Sequence, residues 1–423
     1  MSDADRINRT LATHAPALFR CLSPLGRRVV FPHGIPAQAS AAAETRLNGT
    51  IGQITDGAGS PLPLPVLEES VPGLDRRQCF LYAPQPGYPE VRKLWRERQL
   101  RLAGRTAGLC SLPFATHGLT HGISLIADLL VDEETTVILP DPSWENYELL
   151  FTMRVGARIA TYPFYRDGRF NLEGLADQLE QAPGKVLVVL NFPANPTGYS
   201  PTVDEARHIV DCLANHKGPA VFLIDDAYQG VVHEQGLLGH SLHWQLADAV
   251  DPERAVVLKV DGATKEVLFF PSRLGFVSAS IADEAVAAWE NKLNCVVRGT
   301  IGGPSGPAQA MLLKALRAPE RTAREFAEVT AIITDRYRAL QDALAATTNP
   351  RLIHYPFNSA YFALIGLAPS VSAEEVRKRL ITERSVGTIA IPSVNALRVA
   401  YCSTRSEDVT AIVQHIDAVV ASS

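Results

Sequence analysis

No run of about 18 consecutive apolar residues occurs in the sequence, so no transmembrane helix is expected. Neither sign of charge dominates. Forty basic residues against 45 acidic ones leave a net charge of −5, which points away from nucleic acid or an anionic membrane as a partner. Cysteine is sparse and scattered: Cys21, Cys79, Cys110, Cys212, Cys295 and Cys402 form no CxxC pair and no metal-spaced cluster. Free thiols in a reduced, cytoplasmic protein are therefore expected, with neither a disulfide framework nor a metal. The opening stretch, MSDADRINRTLATHAPALF, has no basic head followed by an apolar block, so no secretory signal is expected. Internal repeats and low-complexity linkers are also lacking. What is present is a 46% hydrophobic chain of 423 residues, enough for a sizeable core and for two or three domains.

Several short apolar runs end abruptly in polar or glycine-rich turns: TVILPDP (136–142), KVLVVLNFP (185–193), AVFLIDD (220–226), AVVLKVDG (255–262) and RLGFVSAS (273–280). Near-continuous Val, Leu and Ile without alternation is the pattern of strands buried on both faces. Helical stretches lie between them. In 201–218, Thr202 and Glu205 fit a capping box, and Val203, Ala206, Ile209, Val210 and Leu213 share one face. The alternation predicts an α/β fold, with a large domain at 71–335 built on a mostly parallel sheet flanked by helices. From 336 to 423, strand-like pieces (AYFALIGL, ALRVAYCS) alternate with a helix at SAEEVRKRLITER, capped by Ser372 with Glu375. This predicts a smaller α+β domain. Residues 1–70 are rich in Ala, Pro and Gly, lack clear periodicity, and are expected to contribute to that smaller domain.

In open α/β sheets, ligands bind outside the carboxyl ends of the strands. The predicted ends carry Asn195 in PANPTG, Asp225 and Tyr228 in DDAYQG, and Lys265 in DGATK. An amide, a carboxylate, a phenol and a lysine on one sheet edge suit a pyridinium ring bearing a phenolic oxygen and an aldehyde. The carboxylate pairs with the ring nitrogen, the amide and phenol bond the ring oxygen, and the lysine condenses with the aldehyde. That is pyridoxal 5'-phosphate chemistry. A phosphate site is offered by THGLTHG (116–122), a glycine-bearing turn opening a helix, with Arg273 adding charge-assisted hydrogen bonds. Each piece has a plainer alternative on its own. NPTG is a good turn sequence, and Lys265 could lay its stem on apolar surface with its head in solvent. It is their joint occurrence at successive strand ends that carries the chemistry.

These residues resemble the class I/II aminotransferase family of fold type I pyridoxal-phosphate enzymes, and its aspartate and aromatic aminotransferases in particular. The resemblance rests on N-P-T-G at 195–198, D-x-A-Y-Q-G at 225–230, and Lys265 followed by Arg273 and Gly275. It also rests on L-R-V at 397–399, P-S-W-x-N-Y at 142–147 and Y-x-P-x-x-G at 82–87. It implies that Lys265 forms the internal aldimine and that Asp225, rather than Asp226, pairs with the pyridine nitrogen. Asn195 and Tyr228 then hold the ring oxygen, and Trp144 stacks on the ring. Gly118, Leu119, Thr120 and Arg273 bind the phosphate, and Tyr82 reaches the phosphate of a neighbouring subunit. Arg398 grips the substrate α-carboxylate, and Gly34 closes over the substrate.

There are departures from the family pattern. Where the aspartate aminotransferases carry a phosphate-binding serine three residues before the lysine, this chain has Gly262, so that contact is either missing or replaced by Thr264. Arg298 falls where the family places an arginine reaching across the dimer to a side-chain carboxylate, but the segment after it diverges. The segment 50–65 has no assigned role. The implied protein is a homodimer with shared active sites that moves an amino group from an L-amino acid to a 2-oxo acid. A lyase, decarboxylase or oxidase on the same scaffold is the alternative. A DNA-binding regulator built on this fold is disfavoured by the non-basic N-terminal segment.

Overall fold

The computed structural model describes residues 2–28, 73–402 and 406–422. Its strands, in chain order, are β1 (Phe114–Thr116), β2 (Thr136–Asp141), β3 (Arg158–Pro163), the small hairpin β4 (Tyr165–Arg166) and β5 (Arg169–Phe170), β6 (Val186–Asn191), β7 (Ala220–Asp225), β8 (Ala255–Gly262), β9 (Gly275–Ala279), β10 (Leu352–His354), β11 (Phe362–Leu367), β12 (Ile389–Ile391) and β13 (Ala396–Ala400).

Seven of these form one sheet in the order β1-β9-β8-β7-β6-β2-β3. The pairs from β3 through β8 are parallel, and β9 runs antiparallel to both neighbours. The sheet is therefore mostly parallel, as the apolar runs predicted. The direction of β9 was not legible in them.

Both faces of the sheet are dry, which is why its strands read as continuous apolar runs. In β6, Leu187 and Val189 face one core while Val186, Val188 and Leu190 face the other. The first core is completed by the helices Gly118–Leu130 and Asp283–Thr300. The second is completed by the helices Leu172–Gln181, Val203–Ala214 and His243–Ala249. Burying each such Val or Leu stabilises the fold by about 1.5–3 kcal/mol relative to leaving it in water. The capping box expected at Thr202 and Glu205 is present, and Ala206, Ile209, Val210 and Leu213 are buried. Val203, at the first helical position, is instead exposed.

A second, antiparallel sheet has the order β10-β11-β13-β12. The helices Pro319–Ala345, Ala373–Arg384 and Ser406–Ala421 cover it, and its core takes in Tyr228 and Val231 from the loop after β7. Ser372 caps the second of these helices by accepting from the Glu375 amide at 3.3 Å. The long first helix places Ile333, Tyr337, Leu340 and Leu344 in this core, so the expected boundary at 335–336 falls inside one continuous helix.

The N-terminal residues depart from expectation. Residues 3–28 form three helices, Asp3–His14, Pro16–Cys21 and Pro24–Arg28. Ile7, Leu11, Leu18 and Cys21 join the core of the large sheet rather than that of the small one. The first helix is amphipathic on a very narrow stripe, burying only Ile7 and Leu11, which hid its period among polar neighbours. Gly34 and the segment 50–65 lie outside the described residues. Among the described residues, no helix is long and apolar enough to cross a membrane.

Candidate active site

The register of the large sheet sets Asn191 of β6 beside Asp225 of β7, and Asp225 beside Val260 of β8. Three strands thus deliver their following loops to one edge. A cavity of about 210 Å³ lies there, and its wall includes Asn195, Asp225, Tyr228, Thr264 and Lys265. From the other side come Leu119 and Thr120 at the start of the helix Gly118–Leu130, together with Trp144, Tyr147 and Arg273.

Asp225 is buried at the end of β7. Its Oδ2 accepts from the Tyr147 hydroxyl at 2.7 Å, and its Oδ1 accepts from the Ala227 amide at 3.1 Å. Burial pushes its carboxyl above the usual carboxylate range, while the Tyr147 and Ala227 donors and the Lys265 and Lys259 charges pull the other way. Lys265 sits on the single helical turn Ala263–Glu266 that follows β8. Its Nζ lies 4.8 Å from the centre of the Tyr228 ring. Burial lowers its pKa from the ordinary lysine value. Arg273 lowers it further, and Asp225 opposes both.

Asn191 is the joint of this edge. Its Nδ2 donates to the Asp225 carbonyl at 2.8 Å, and its Oδ1 accepts from the Asn195 amide at 2.9 Å. The loop after β6 is thereby fixed to the end of β7. Asn195 in turn accepts from Arg398 Nη1 at 3.1 Å, which ties β13 of the small sheet to the cavity. The Arg398 guanidinium carbon stands 4.4 Å over the Phe362 ring, and its buried Nε has no partner. Burial lowers the pKa of Arg398. Tyr228 is packed edge-on against Tyr361 and Phe362, with centroids 5.2 and 5.7 Å away, and burial raises the pKa of its phenol. Trp144 meets the Tyr147 ring edge-on at 5.4 Å.

No side chain caps the helix Gly118–Leu130, so its first amides remain available at the cavity. Arg273 covers this turn. A Cβ on Gly118 (φ +78°) would stand 2.7 Å from Arg273 Nη2, so only glycine admits the guanidinium at this distance. Gly262 is explained by another close approach. It faces Gly275 across β8 and β9, and a Cβ there would lie 2.7 Å from the Leu274 carbonyl oxygen and 2.8 Å from Gly275 Cα. A serine is sterically barred from this backbone, and Thr264, two residues on, brings a hydroxyl-bearing side chain to the cavity wall instead.

The cavity fits the pyridine cofactor expected from the sequence. A buried carboxylate, raised by desolvation, suits a cationic ring nitrogen. An uncapped helix start beside an arginine suits a phosphate. Of the expected site residues, Leu119, Thr120, Trp144, Asn195, Asp225, Tyr228, Thr264, Lys265 and Arg273 line the cavity. Gly118 adjoins it through Arg273, and Arg398 through Asn195. Tyr82 and Arg298 do not reach it within one chain: Tyr82 is 80% exposed, and Arg298 is exposed in the last turn of the helix Asp283–Thr300. Tyr147 and Asn191 were missed. Both lie in or beside quoted motifs, Tyr147 ending P-S-W-x-N-Y and Asn191 standing four residues before N-P-T-G, but neither spacing announces a bond to Asp225.

A family model described as aminotransferase class I and II matches residues 44–416. The cytoplasmic aspartate aminotransferase of Caenorhabditis elegans is 27% identical over 291 residues, covering 66% of this chain and 69% of that one. The aspartate aminotransferase of Pseudomonas aeruginosa is 28% identical over 269 residues, covering 59% and 62%. Among solved structures, an aminotransferase from Anaerococcus prevotii superposes with a TM-score of 0.72 at 22% identity, covering 93% of this chain and 96% of that one. The alpha-aminoadipate aminotransferase of Thermus thermophilus, complexed with N-(5'-phosphopyridoxyl)-L-leucine, gives 0.69 at 19% identity, covering 95% and 90%. At these identities the two structures bear on the fold.

Proposed function

The chain belongs to the aminotransferase class I and II family and is a pyridoxal-phosphate-dependent transaminase, and from that premise we propose that Lys265 is the residue that holds the cofactor and moves the proton. Its substrates are amino acids and 2-oxo acids. The observation that supports this assignment is the meeting of Lys265, Asp225, Asn195 and Tyr228 in one cavity at the ends of β6, β7 and β8.

When bound, pyridoxal 5'-phosphate supplies an aldehyde and an electron-accepting ring that make the α-proton of an amino acid labile. The chain's residues do the rest. Lys265 Nζ, its pKa lowered by burial, would be the residue that holds the cofactor through its aldehyde and, once released from it, would carry the proton between the substrate α-carbon and the cofactor. Asp225, oriented by Tyr147 and the Ala227 amide, would pair with the ring nitrogen and keep it protonated. Asn195 accepts on Oδ1 from Arg398, so its Nδ2 would be the atom that, with the Tyr228 hydroxyl, holds the ring oxygen. Trp144, in the cavity wall, would stack on the ring face. Gly118, Leu119 and Thr120 present backbone amides to the phosphate, with Arg273 and Thr264 beside them. Arg398 keeps Nε and its second amino group for the two-pronged grip on the α-carboxylate.

Tyr82 and Arg298 reach a site only if a second copy supplies them, so a homodimer with shared sites belongs to the proposal. In it, Arg298 of a second copy would meet a substrate side-chain carboxylate. A cytoplasmic location follows the names of relatives such as the Caenorhabditis elegans enzyme. The lyase, decarboxylase and oxidase alternatives gain nothing from the relatives named above, which are aminotransferases. Borohydride reduction of the cofactor-loaded protein, followed by peptide mapping, tests the assignment. The phosphopyridoxyl group should be found on Lys265, and its attachment to another lysine would refute the role given to Lys265.

A further inference from the structure

Behind the cavity wall lies a cluster of charges that the reaction does not use. Lys259 is buried in the middle of β8, with Nζ 3.1 Å from Asp226 Oδ2 in an ion pair and in contact with Asp261. Asp261 Oδ1 accepts from Trp95 Nε1 at 3.1 Å. Glu266, also buried, takes Arg98 Nη1 and Gln99 Nε2 on one carboxylate oxygen, the latter at 2.9 Å. Its other oxygen accepts from the Gly262 amide at 3.4 Å. Arg98 reaches past the side chain and donates from Nη2 to the Glu266 main-chain carbonyl at 3.1 Å.

Two of these acids are sequence neighbours of residues in the cavity: Asp226 follows Asp225, and Glu266 follows Lys265. The Asp226 amide is itself fixed to the Val260 carbonyl of β8 at 2.9 Å. Stability alone does not account for such a cluster, because buried ion pairs are commonly matched or bettered by well-packed apolar residues of similar volume. What they provide that an apolar filling would not is direction. Glu266 is held at its carboxylate and at its backbone carbonyl by a helix, Pro89–Leu102, that takes no part in the cavity wall. The turn Ala263–Glu266 has only four residues and no side-chain cap, so it carries little rigidity of its own.

We propose that Glu266, gripped by Arg98 and Gln99 of the helix Pro89–Leu102 and bonded to the Gly262 amide, is a positioning residue that fixes the turn from which Lys265 enters the cavity. The inference rests on the role given to Lys265 above. Both ends of the turn are held: the Glu266 carboxylate accepts from the Gly262 amide at its start, and Arg98 donates to the Glu266 main-chain carbonyl at its end. Lys265, the residue before it, reaches the cavity wall with its Nζ over the Tyr228 ring.

The test uses Glu266→Gln, Arg98→Lys and the double variant. The first readout is the rate at which cofactor-free protein forms its absorbing adduct with pyridoxal 5'-phosphate. Turnover and thermal unfolding are followed alongside. Glu266→Gln should slow adduct formation and kcat by about tenfold or more, leave KM for the amino substrate within about twofold, and remain folded at the assay temperature. Arg98→Lys should cause a smaller loss of the same kind on its own, and the double variant should lose less than the product of the two single losses, because one of the two Arg98 bonds runs to the carboxylate that Glu266→Gln changes. An adduct rate within about twofold of the parent in folded Glu266→Gln, or losses that simply multiply in the double variant, would overturn the inference. Should Glu266→Gln fail to fold, Arg98→Lys decides alone, and an unchanged adduct rate there overturns the proposal. Adduct formation by Lys265→Ala at the parent rate would instead overturn the assignment of Lys265 on which it stands.

Discussion

Lys265 is governed by three opposing influences, and the balance can be moved one at a time. Burial lowers its pKa first, Arg273 adds to that effect, and Asp225 resists it. The neutral amine is the form that attacks a carbonyl. In the cofactor-free protein, the midpoint of the pH dependence for adduct formation at Lys265 should therefore rise in Arg273→Met, where a neighbouring cation is removed. It should fall in Asp225→Asn, where the stabilising carboxylate is removed. Rates of adduct formation measured across pH check both signs, and a shift in the opposite sense in either variant contradicts the assignment. Tyr147 gives a second handle at this scale. Tyr147→Phe leaves Asp225 Oδ2 buried without its hydroxyl donor, and should cost about 1–3 kcal/mol of stability in denaturant unfolding.

Lys265, Asp225, Asn195 and Tyr228 were legible in the sequence because a buried strand must end somewhere, and polar residues just past such an end face a common edge. Tyr147 was not legible as a partner of Asp225. It is supplied by the short helix Asn146–Glu148 that follows β2, and the packing of its ring beside Trp144 and Phe151 brings its hydroxyl there. Lys259 was hidden for the opposite reason: it is a single charge inside an apolar run, and although Asp261 stands two residues on, Asp226 becomes its neighbour only in space.

Among the elements, β8, β9 and the turn after β8 show how a local sequence choice is enforced by packing. Gly262 looked like a lost phosphate contact when read along the chain. Across the sheet it is the one side-chain size that lets β8 pass Gly275. Gly262→Ser restores the hydroxyl found at this position in the aspartate aminotransferases but drives its Cβ into backbone atoms that cannot swing aside. It should destabilise the protein by about 1–3 kcal/mol. Unfolding midpoints measure the cost, and a serine variant as stable as the parent would mean that β9 yields easily. The strands themselves were readable because both faces are apolar. The antiparallel course of β9 was not, since a strand's direction leaves no mark in its composition. The helices of residues 3–28 escaped notice because they are short: the first buries only Ile7 and Leu11, and the next two span six and five residues, too few to show a period.

Across the whole molecule, Arg398 is one of the residues that join the two sheets. It reaches from β13 to Asn195 and, in the proposed function, grips the substrate as well. Arg398→Lys keeps the charge but loses the planar fork, and should raise KM for amino and oxo acids alike by about tenfold or more, with a smaller change in kcat. Steady-state kinetics with both substrate types distinguish this from a role confined to joining the sheets, which would lower stability and leave KM in place. The long helix Pro319–Ala345 makes the same point about organisation: composition shifts near residue 336, but the backbone does not break there.

The most direct test of the account is a single-turnover measurement on protein loaded with pyridoxal 5'-phosphate, mixed with a panel of L-amino acids and assayed for the 2-oxo acid released. The account predicts about one equivalent of oxo acid per active site from at least one amino acid, recovery of the starting absorbance when a 2-oxo acid is added, and neither event in Lys265→Ala. Multiple turnovers at the parent rate in Lys265→Ala, or elimination or decarboxylation products in place of the oxo acid, would contradict it.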